Sequence, residues 1–366
     1  MQRRRLAPIA LIPLFLAPLA LAGDPHAGQW RAVADRLIRT APEDFGFSWG
    51  EGVQMIGLMK IHGRSRKEAY ADYVEKWTTI YLPKEMKELL VLPPTSFWAP
   101  GYCGRWSPGT AMLDLYRARR KPEHLGLASR IAEFIRTGAE RSPEGGLGHF
   151  LGSHQLWVDT LYMACPLLAG LGELQGKREY IDDAVSQIIV HARHLQDEKT
   201  GLFYHMWDWR TDARTPNFWG RGSGWVIMSL AETFEFLPKA HPSYPPLKSI
   251  AEKLARGLKA TQDPSGMWHT VLEDPSSYAE TSATAMAAYG LVKLVRLKVL
   301  PSSYRRMALR AWAAINRSYV KDAVVTGVSA GTAPKGGDYY RSVRVGTFTW
   351  GTGAYLMAGS EIDRLQ

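Results

Sequence analysis

Two kinds of helical segment alternate along this chain, and the alternation limits its possible folds more than any other feature. One kind is amphipathic. KEAYADYVEKW, LASRIAEFIRTGAE, REYIDDAVSQIIVHARHLQ and LKSIAEKLARGLKATQ place apolar residues every three or four positions, the spacing of a single helix face. The other kind is apolar on most sides and rich in small residues: GTAMLDLYRAR, CPLLAGLGELQ, WVIMSLAETFEF, ATAMAAYGLVKLV and GAYLMAGSEI. A helix with a wet face lies at a surface, whereas one that is apolar all round is enclosed. Met59, Met112, Leu168, Met228, Met286 and Tyr355 anchor six such units, spaced 53 to 69 residues apart. Six hairpins, with buried inner and half-wet outer helices, predict an all-α (α/α)6 barrel over residues 23–366, organised as a single domain.

A second repeat supports the first. GLGHF (146–150), GLFYH (201–205) and GMWHT (266–270) each follow an amphipathic stretch. Their glycines are expected at helix C′ positions. Loops from outer to inner helices gather at one end of the inner ring, so the aromatic and histidine residues in them should converge on one mouth.

The first 22 residues read differently. Arg3, Arg4 and Arg5 precede an apolar run broken by prolines, and Ala20-Leu21-Ala22 has the small-residue pattern of a cleavage site. This is the expected form of a cleavable secretory signal peptide, cut near Ala22, and it implies a periplasmic or secreted protein. No later segment is long and apolar enough to suggest a membrane span. Without the three arginines the formal charge falls from +10 to +7. A basic surface of this size suits a small acidic ligand, and no nucleic-acid-reading motif accompanies it. Cys103 and Cys165 have no metal-binding spacing. Export would permit them to pair, but Cys165 sits in an apolar run that suits a buried thiol equally well. No metal or other cofactor is expected.

Asp159 is the one acid in HQLWVDTLYMACP (154–166). It opens an inner helix, where an acid commonly acts as an N-cap or first-turn residue. Its flanks, Trp157 and Tyr162, suggest an apolar wall that would raise its pKa and favour the proton-donating form. His205, in HMWDW (205–209), lies among aromatics on one of the repeated loops. WGRGSGW (219–225) sets Arg221 among glycines that could let backbone approach a ligand, and its guanidinium offers a planar fork for a carboxylate. Tyr278 and Glu280 begin another inner helix. GVSAG (327–331) matches a nucleophile-elbow pattern but lacks the following helix.

Together these stretches resemble the unsaturated glucuronyl and rhamnogalacturonyl hydrolases of glycoside hydrolase families 88 and 105, the second more closely. The resemblance rests on LWVDTLYM, FYHMWDW, WGRGSGW, GMWHTVL, YAETSATAM and GTGAYLMAGSE, in order across roughly two thirds of the chain. It implies an enzyme that protonates C4 of a terminal 4,5-unsaturated uronic acid and adds water at C5. By motif it implies Asp159 as the catalytic acid and base. Trp157, His205, Arg221 and Trp225 would bind the uronate, with His149 and Tyr278 as additions. The chain departs from the family pattern at Gly220 and Ser223. It also lacks the second Asp that often precedes the second inner helix, since GYCGRWSPGTAML has no acid before Asp114. Two other functions fit a helical toroid of this kind. A glycosidase acting on saturated glycans would need a second carboxylate, Glu280 or Asp208, about 6.5–9.5 Å from Asp159 if inverting. A non-catalytic protein would bind uronyl oligosaccharides without turnover.

Overall fold

Helix boundaries in the computed structural model follow local chemistry. Residues 26–92 and 99–365 are described; the leader expected over residues 1–22 lies outside them. The helices, in chain order, are α1 (Ala27–Leu37), α2 (Trp49–Ser65), α3 (Glu68–Tyr81), α4 (Pro108–Arg119), α5 (Pro122–Thr137), α6 (Val158–Gln175), α7 (Arg178–Leu195), α8 (Gly220–Phe236), α9 (Tyr244–Thr261), α10 (Thr281–Arg296), α11 (Tyr304–Ser318), the short α12 (Gly337–Ser342) and α13 (Thr349–Asp363). Pro108 and Pro122 start α4 and α5, where a missing N–H costs nothing. Arg66, Arg120 and Gly176 end α2, α4 and α6 in the left-handed conformation. Each of these ends turns the chain within two residues into the next outer helix. The outer-to-inner connections are long by comparison, and they collect at the opposite end.

The inner helices α2, α4, α6, α8, α10 and α13 form a closed ring. Each packs on the next, and α13 returns to α2. All six anchor residues of the sequence repeat are buried in these helices. This is an (α/α)6 barrel. The seam that closes it depends on glycine. A Cβ on Gly353 would lie 2.6 Å from the Val53 carbonyl carbon, and one on Gly57 would lie 2.8 Å from the Gly353 carbonyl oxygen. Only hydrogen at those positions lets the first and last inner helices touch backbone to backbone.

The repeated loops do converge at one end, but their glycines are not helix caps. α5, α7 and α9 end several residues before Gly146, Gly201 and Gly266. Gly201 and Gly266 instead occupy tight turns with φ of +76° and +100°. Each turn is held by a glutamine. Gln196 Nε2 donates to the carbonyls of Gly201 and Ile250, and Gln262 Nε2 donates to those of Gly266 and Met307. The glutamines thereby tie each turn to the following outer helix. Short strands organise the mouth. β1 (Gln155–Trp157), β2 (Met206–Asp208) and β3 (Ala213–Arg214) form an antiparallel sheet; β4 (Val320–Lys321) pairs with β5 (Val324–Val325), and β6 (Val328–Ser329) with β7 (Val345–Gly346). Cys103 and Cys165 are separate buried thiols.

The far end of the ring is charged. Lys60 of α2 lies 3.0 Å from Asp114 of α4 and 3.7 Å from Glu232 of α8. Lys293 of α10 lies 2.9 Å from Glu232 and 3.2 Å from Glu235, and Arg296 bridges to Glu361 of α13 at 2.8 Å. Burial alone would raise the Glu232 pKa, but Lys293 and Lys60 hold it down at about 2. Buried charges of this kind are tolerable only as a complete set.

Gly353→Ala should destabilise the protein by about 1–3 kcal/mol in thermal or denaturant unfolding, because the methyl group meets backbone that cannot turn aside. Glu232→Gln should cost about 1–3 kcal/mol near neutral pH, because Lys60 keeps Asp114 and Lys293 keeps Glu235 but both lose the acid they share. The native carboxyl is depressed, so its stabilisation is present above the unfolded value near 4.3 and is lost as pH falls towards 2. The gap between wild type and variant should therefore narrow over that acid range. A gap that stays constant with pH would remove Glu232 as its source.

Candidate active site

Asp159 is the second residue of α6, directly after β1. In the β1–β2 ladder Gln155 faces Asp208 and Trp157 faces Met206. The Val158 N–H donates to the His205 carbonyl at 3.1 Å. This pairing of two entry loops sets His205 Nε2 3.1 Å from Asp159 Oδ2. Asp159 makes no capping hydrogen bond, and its side chain is 18 % exposed beside a fully buried imidazole. It is a carboxyl presented at the mouth, not a helix cap.

The imidazole is fixed on every side. The Tyr340 hydroxyl, from α12, lies 3.1 Å from His205 Nδ1. Trp219 stacks on the ring at 4.1 Å, and Trp157 meets it edge-on at 5.3 Å. With the Tyr340 O–H donating to Nδ1, the ring proton is assigned to Nε2, facing Asp159. Burial lowers the His205 pKa against the pull of Asp159. For Asp159, burial opposes ionisation but His205, aided by His149 and Arg221, outweighs it and moves the carboxyl below its usual range. The free site therefore holds a carboxylate beside a neutral imidazole at neutral pH. The raised pKa expected from the aromatic flanks is corrected: the sequence shows the apolar wall but not the histidine that crosses to it.

The other expected residues divide. Trp157 lies at the site, with His149 stacked behind it at 3.8 Å. His149 Nδ1 lies 3.1 Å from Thr160 Oγ1 and 3.3 Å from Cys103 Sγ, and burial drops its pKa to about 3, so it is neutral backing. Arg221 is close to the pair, but its fork is occupied. One Nη donates to the Ser329 carbonyl at 2.8 Å and to the Ser329 hydroxyl; the other donates to the Ala330 carbonyl and Thr332 Oγ1, each at 2.8 Å. In this state it clamps the 329–332 segment and is not an open carboxylate receptor. Trp225 is fully buried beneath the mouth, stacked on Tyr162 at 5.4 Å, so it offers no exposed face to a sugar. Tyr278 donates to the Tyr340 carbonyl at 3.2 Å and so steadies α12. The WGRGSGW glycines serve helix packing: a Cβ on Gly224 would lie 2.9 Å from Met286 Cβ of α10, and one on Gly222 3.1 Å from Val158.

Neither proposed second acid is free. Glu280 caps α10, accepting from the Ser282 and Ala283 N–H groups, and also from the Ser329 N–H at 2.8 Å. Asp208 accepts from the N–H groups of Arg210 and Thr211 in the turn after β2. Ser329 of GVSAG lies in β6 and is tied to Arg221, so it forms no nucleophile elbow. Among the described residues no group of three or more His, Cys, Asp and Glu side chains could hold a metal, and no helix is long and apolar enough to cross a membrane.

Tyr340 and Glu51 carry no sequence signal. Tyr340 belongs to no repeat and reaches His205 from 135 residues away. Glu51 stands in the first turn of α2, and burial raises its pKa. It lines a cavity of about 690 Å³ at the mouth with Trp49, Tyr102, Ala330 and Trp350. Tyr102, on the cavity wall, lies edge-on to His149 at 5.2 Å, and Ala330, on the same wall, is hydrogen-bonded to Arg221, so the cavity neighbours the residues that back the Asp159 pair.

A ring of six inner helices with an acid and a histidine at its mouth defines a helical-barrel glycoside hydrolase, and comparison with known proteins agrees. The profile of Glycosyl Hydrolase Family 88 matches residues 27–366. The chain belongs to that family. It is 30 % identical to the unsaturated rhamnogalacturonyl hydrolase YesR of Bacillus subtilis, over 89 % of this chain and 92 % of that protein. It is also 30 % identical to an unsaturated 3S-rhamnoglycuronyl hydrolase of an Alteromonas species, over 59 % of this chain and 54 % of the other. Among solved structures, a possible member of family 105 from Salmonella enterica superposes with a TM-score of 0.84 at 24 % identity, covering 99 % of this chain and all of that one. The unsaturated glucuronyl hydrolase of Bacillus sp. GL1 shares the fold at TM-score 0.70 and 17 % identity, covering 93 % and 95 %.

Replacing His205 by Gln should raise the Asp159 pKa, since burial then acts with less opposition. Carbon-13 NMR of the aspartate carboxyl carbon would read this; an unmoved midpoint would show that His205 does not set the charge.

Proposed function

We propose that the chain is a hydrolase of 4,5-unsaturated uronyl oligosaccharides, the products that polysaccharide lyases leave. The observation that carries this reading is Asp159. It is a carboxyl at the mouth, 3.1 Å from a buried histidine, while Glu280 and Asp208 are consumed by local hydrogen bonds and Glu51 lines a separate cavity. A two-carboxylate glycosidase needs a partner acid that neither of them can supply. Hydration of an enol ether needs one group that gives a proton and then takes one back.

The substrate carries its own carboxylate to the mouth beside Asp159. That second negative charge raises the Asp159 pKa, so the carboxyl takes up a proton as the substrate binds. Asp159 then delivers the proton to C4, and positive charge forms at C5, shared with the ring oxygen. The Asp159 carboxylate removes a proton from water as its oxygen bonds to C5. The resulting hemiketal opens and the remaining sugar leaves. His205 Nε2, 3.1 Å from Asp159 Oδ2, favours the carboxylate, and Tyr340 and Trp219 hold His205. Six inner-helix N-termini at the same end add positive potential for the uronate. Arg221 contributes charge from behind the 329–332 segment, and reaches the uronate directly only by exchanging its bonds to that segment. The names of YesR and of the Alteromonas relative support an unsaturated uronyl substrate. The leader-like residues 1–22 support action in the periplasm or outside the cell.

Asp159→Asn should lower consumption of the substrate double bond by at least about 10²-fold, followed by ultraviolet absorbance on lyase-generated oligosaccharides, with the unfolding temperature retained. Substantial turnover by this variant would reject the mechanism.

A further inference from the structure

The 690 Å³ cavity beside the Asp159 pair has walls that the proposed chemistry does not use. On one side Trp49 stacks on Trp350 at 4.2 Å, and Trp350 on Phe348 at 4.6 Å, giving a partly exposed aromatic shelf. On the other side stands Arg105, only 8 % exposed. Among the described residues its one hydrogen bond is a long contact of 3.5 Å from Nη2 to the Glu88 carbonyl, and its Nε is buried without a partner. Among the described residues no carboxylate lies within ion-pair distance of it. Lys84, which could compete for an anion, is already paired with Glu88 at 2.8 Å. Arg344, exposed on the same wall and lying over Phe348 at 5.3 Å, likewise has no acidic partner.

A buried guanidinium with no counter-ion is costly unless something completes it. Other buried cations are better completed: Lys60 and Lys293 by acids, and the two Nη groups of Arg221 by four acceptors, although its Nε, like that of Arg105, has no partner. An aromatic shelf suits a pyranose face, and a planar fork suits a carboxylate or sulfate. The one unpaired acid on the cavity wall, Glu51, is pushed by burial towards its neutral form and so offers less repulsion to an anion.

We infer that this cavity is a second sugar subsite whose Arg105, with Arg344, receives an anionic group, a sulfate ester or a carboxylate, on the sugar next to the cleaved uronate. The inference rests on the proposed function for the identity of the neighbouring sugar, but the cavity chemistry stands on its own.

Calorimetric titration of the full protein with methyl glucoside, its sulfate ester and methyl glucuronide tests it without turnover. The expected result is binding of one or both anionic glycosides at least about tenfold tighter than methyl glucoside, the difference one charge-assisted contact supplies. That preference should collapse in Arg105→Met and weaken in Arg344→Ala. Preference for the sulfate alone assigns a sulfated neighbour, and preference for the glucuronide alone a uronic one. Equal or absent binding of all three by wild type overturns the subsite, as does a preference that survives in Arg105→Met. Should Arg105→Met fail to fold, unchanged preference in Arg344→Ala overturns it equally. Anion binding by a protein that leaves unsaturated oligosaccharides untouched would sink the proposed hydrolase activity and leave the subsite in place.

Discussion

Because outer and inner helices alternate strictly in sequence, every inner helix runs in the same direction. That constraint decides where chemistry can occur. Six N-termini meet at one mouth and six C-terminal ends meet at the other. The mouth carries unsatisfied N–H groups and positive potential, so it favours an anion, while the far end needs cations and a closed ion network. Lys60, Lys293 and Arg296 stand at that far end, where helix dipoles favour them. Asp159 stands at the mouth.

The same constraint explains the division between loops. Inner-to-outer reversals are short, two residues after α2, α4 and α6 and seven after α8 and α10, so they have little room for function. Outer-to-inner connections are long and pair with one another through short strands. The β1–β2 ladder is what carries His205 to Asp159, and the Gln196 and Gln262 clamps fix each loop to the next outer helix. A site built this way is positioned by main-chain pairing between repeats, and its side chains inherit that precision.

Charge at the site is a contest that burial does not win alone. An apolar setting raises a carboxyl, and the aromatic residues around Asp159 supply such a setting. One imidazole at 3.1 Å reverses the outcome in the free protein. In the proposed reaction an arriving anionic substrate reverses it again, as the proposed role of giving and then taking a proton requires. Arg221, held by the 329–332 segment, and Arg105, held by almost nothing, show the same principle from the cationic side.

The helix alternation, the six anchors and the loops that carry histidines were legible in the chain because burial and periodicity are local properties, and they determined the barrel and its single mouth. The motif around Asp159 singled out this carboxyl for the same reason: an acid in an apolar helix start is visible without coordinates. What only the tertiary structure decided were the partners. Tyr340 comes to His205 from a short helix with no repeat signal, Ser329 to Thr332 fill the fork of Arg221, Trp225 lies one layer too deep for a ligand, and Glu280 spends its oxygens on its own helix and on Ser329. Hydrogen-bond satisfaction, and with it the charge state of each group, depends on atoms far apart in sequence, and no spacing of letters records which donor reaches which acceptor first.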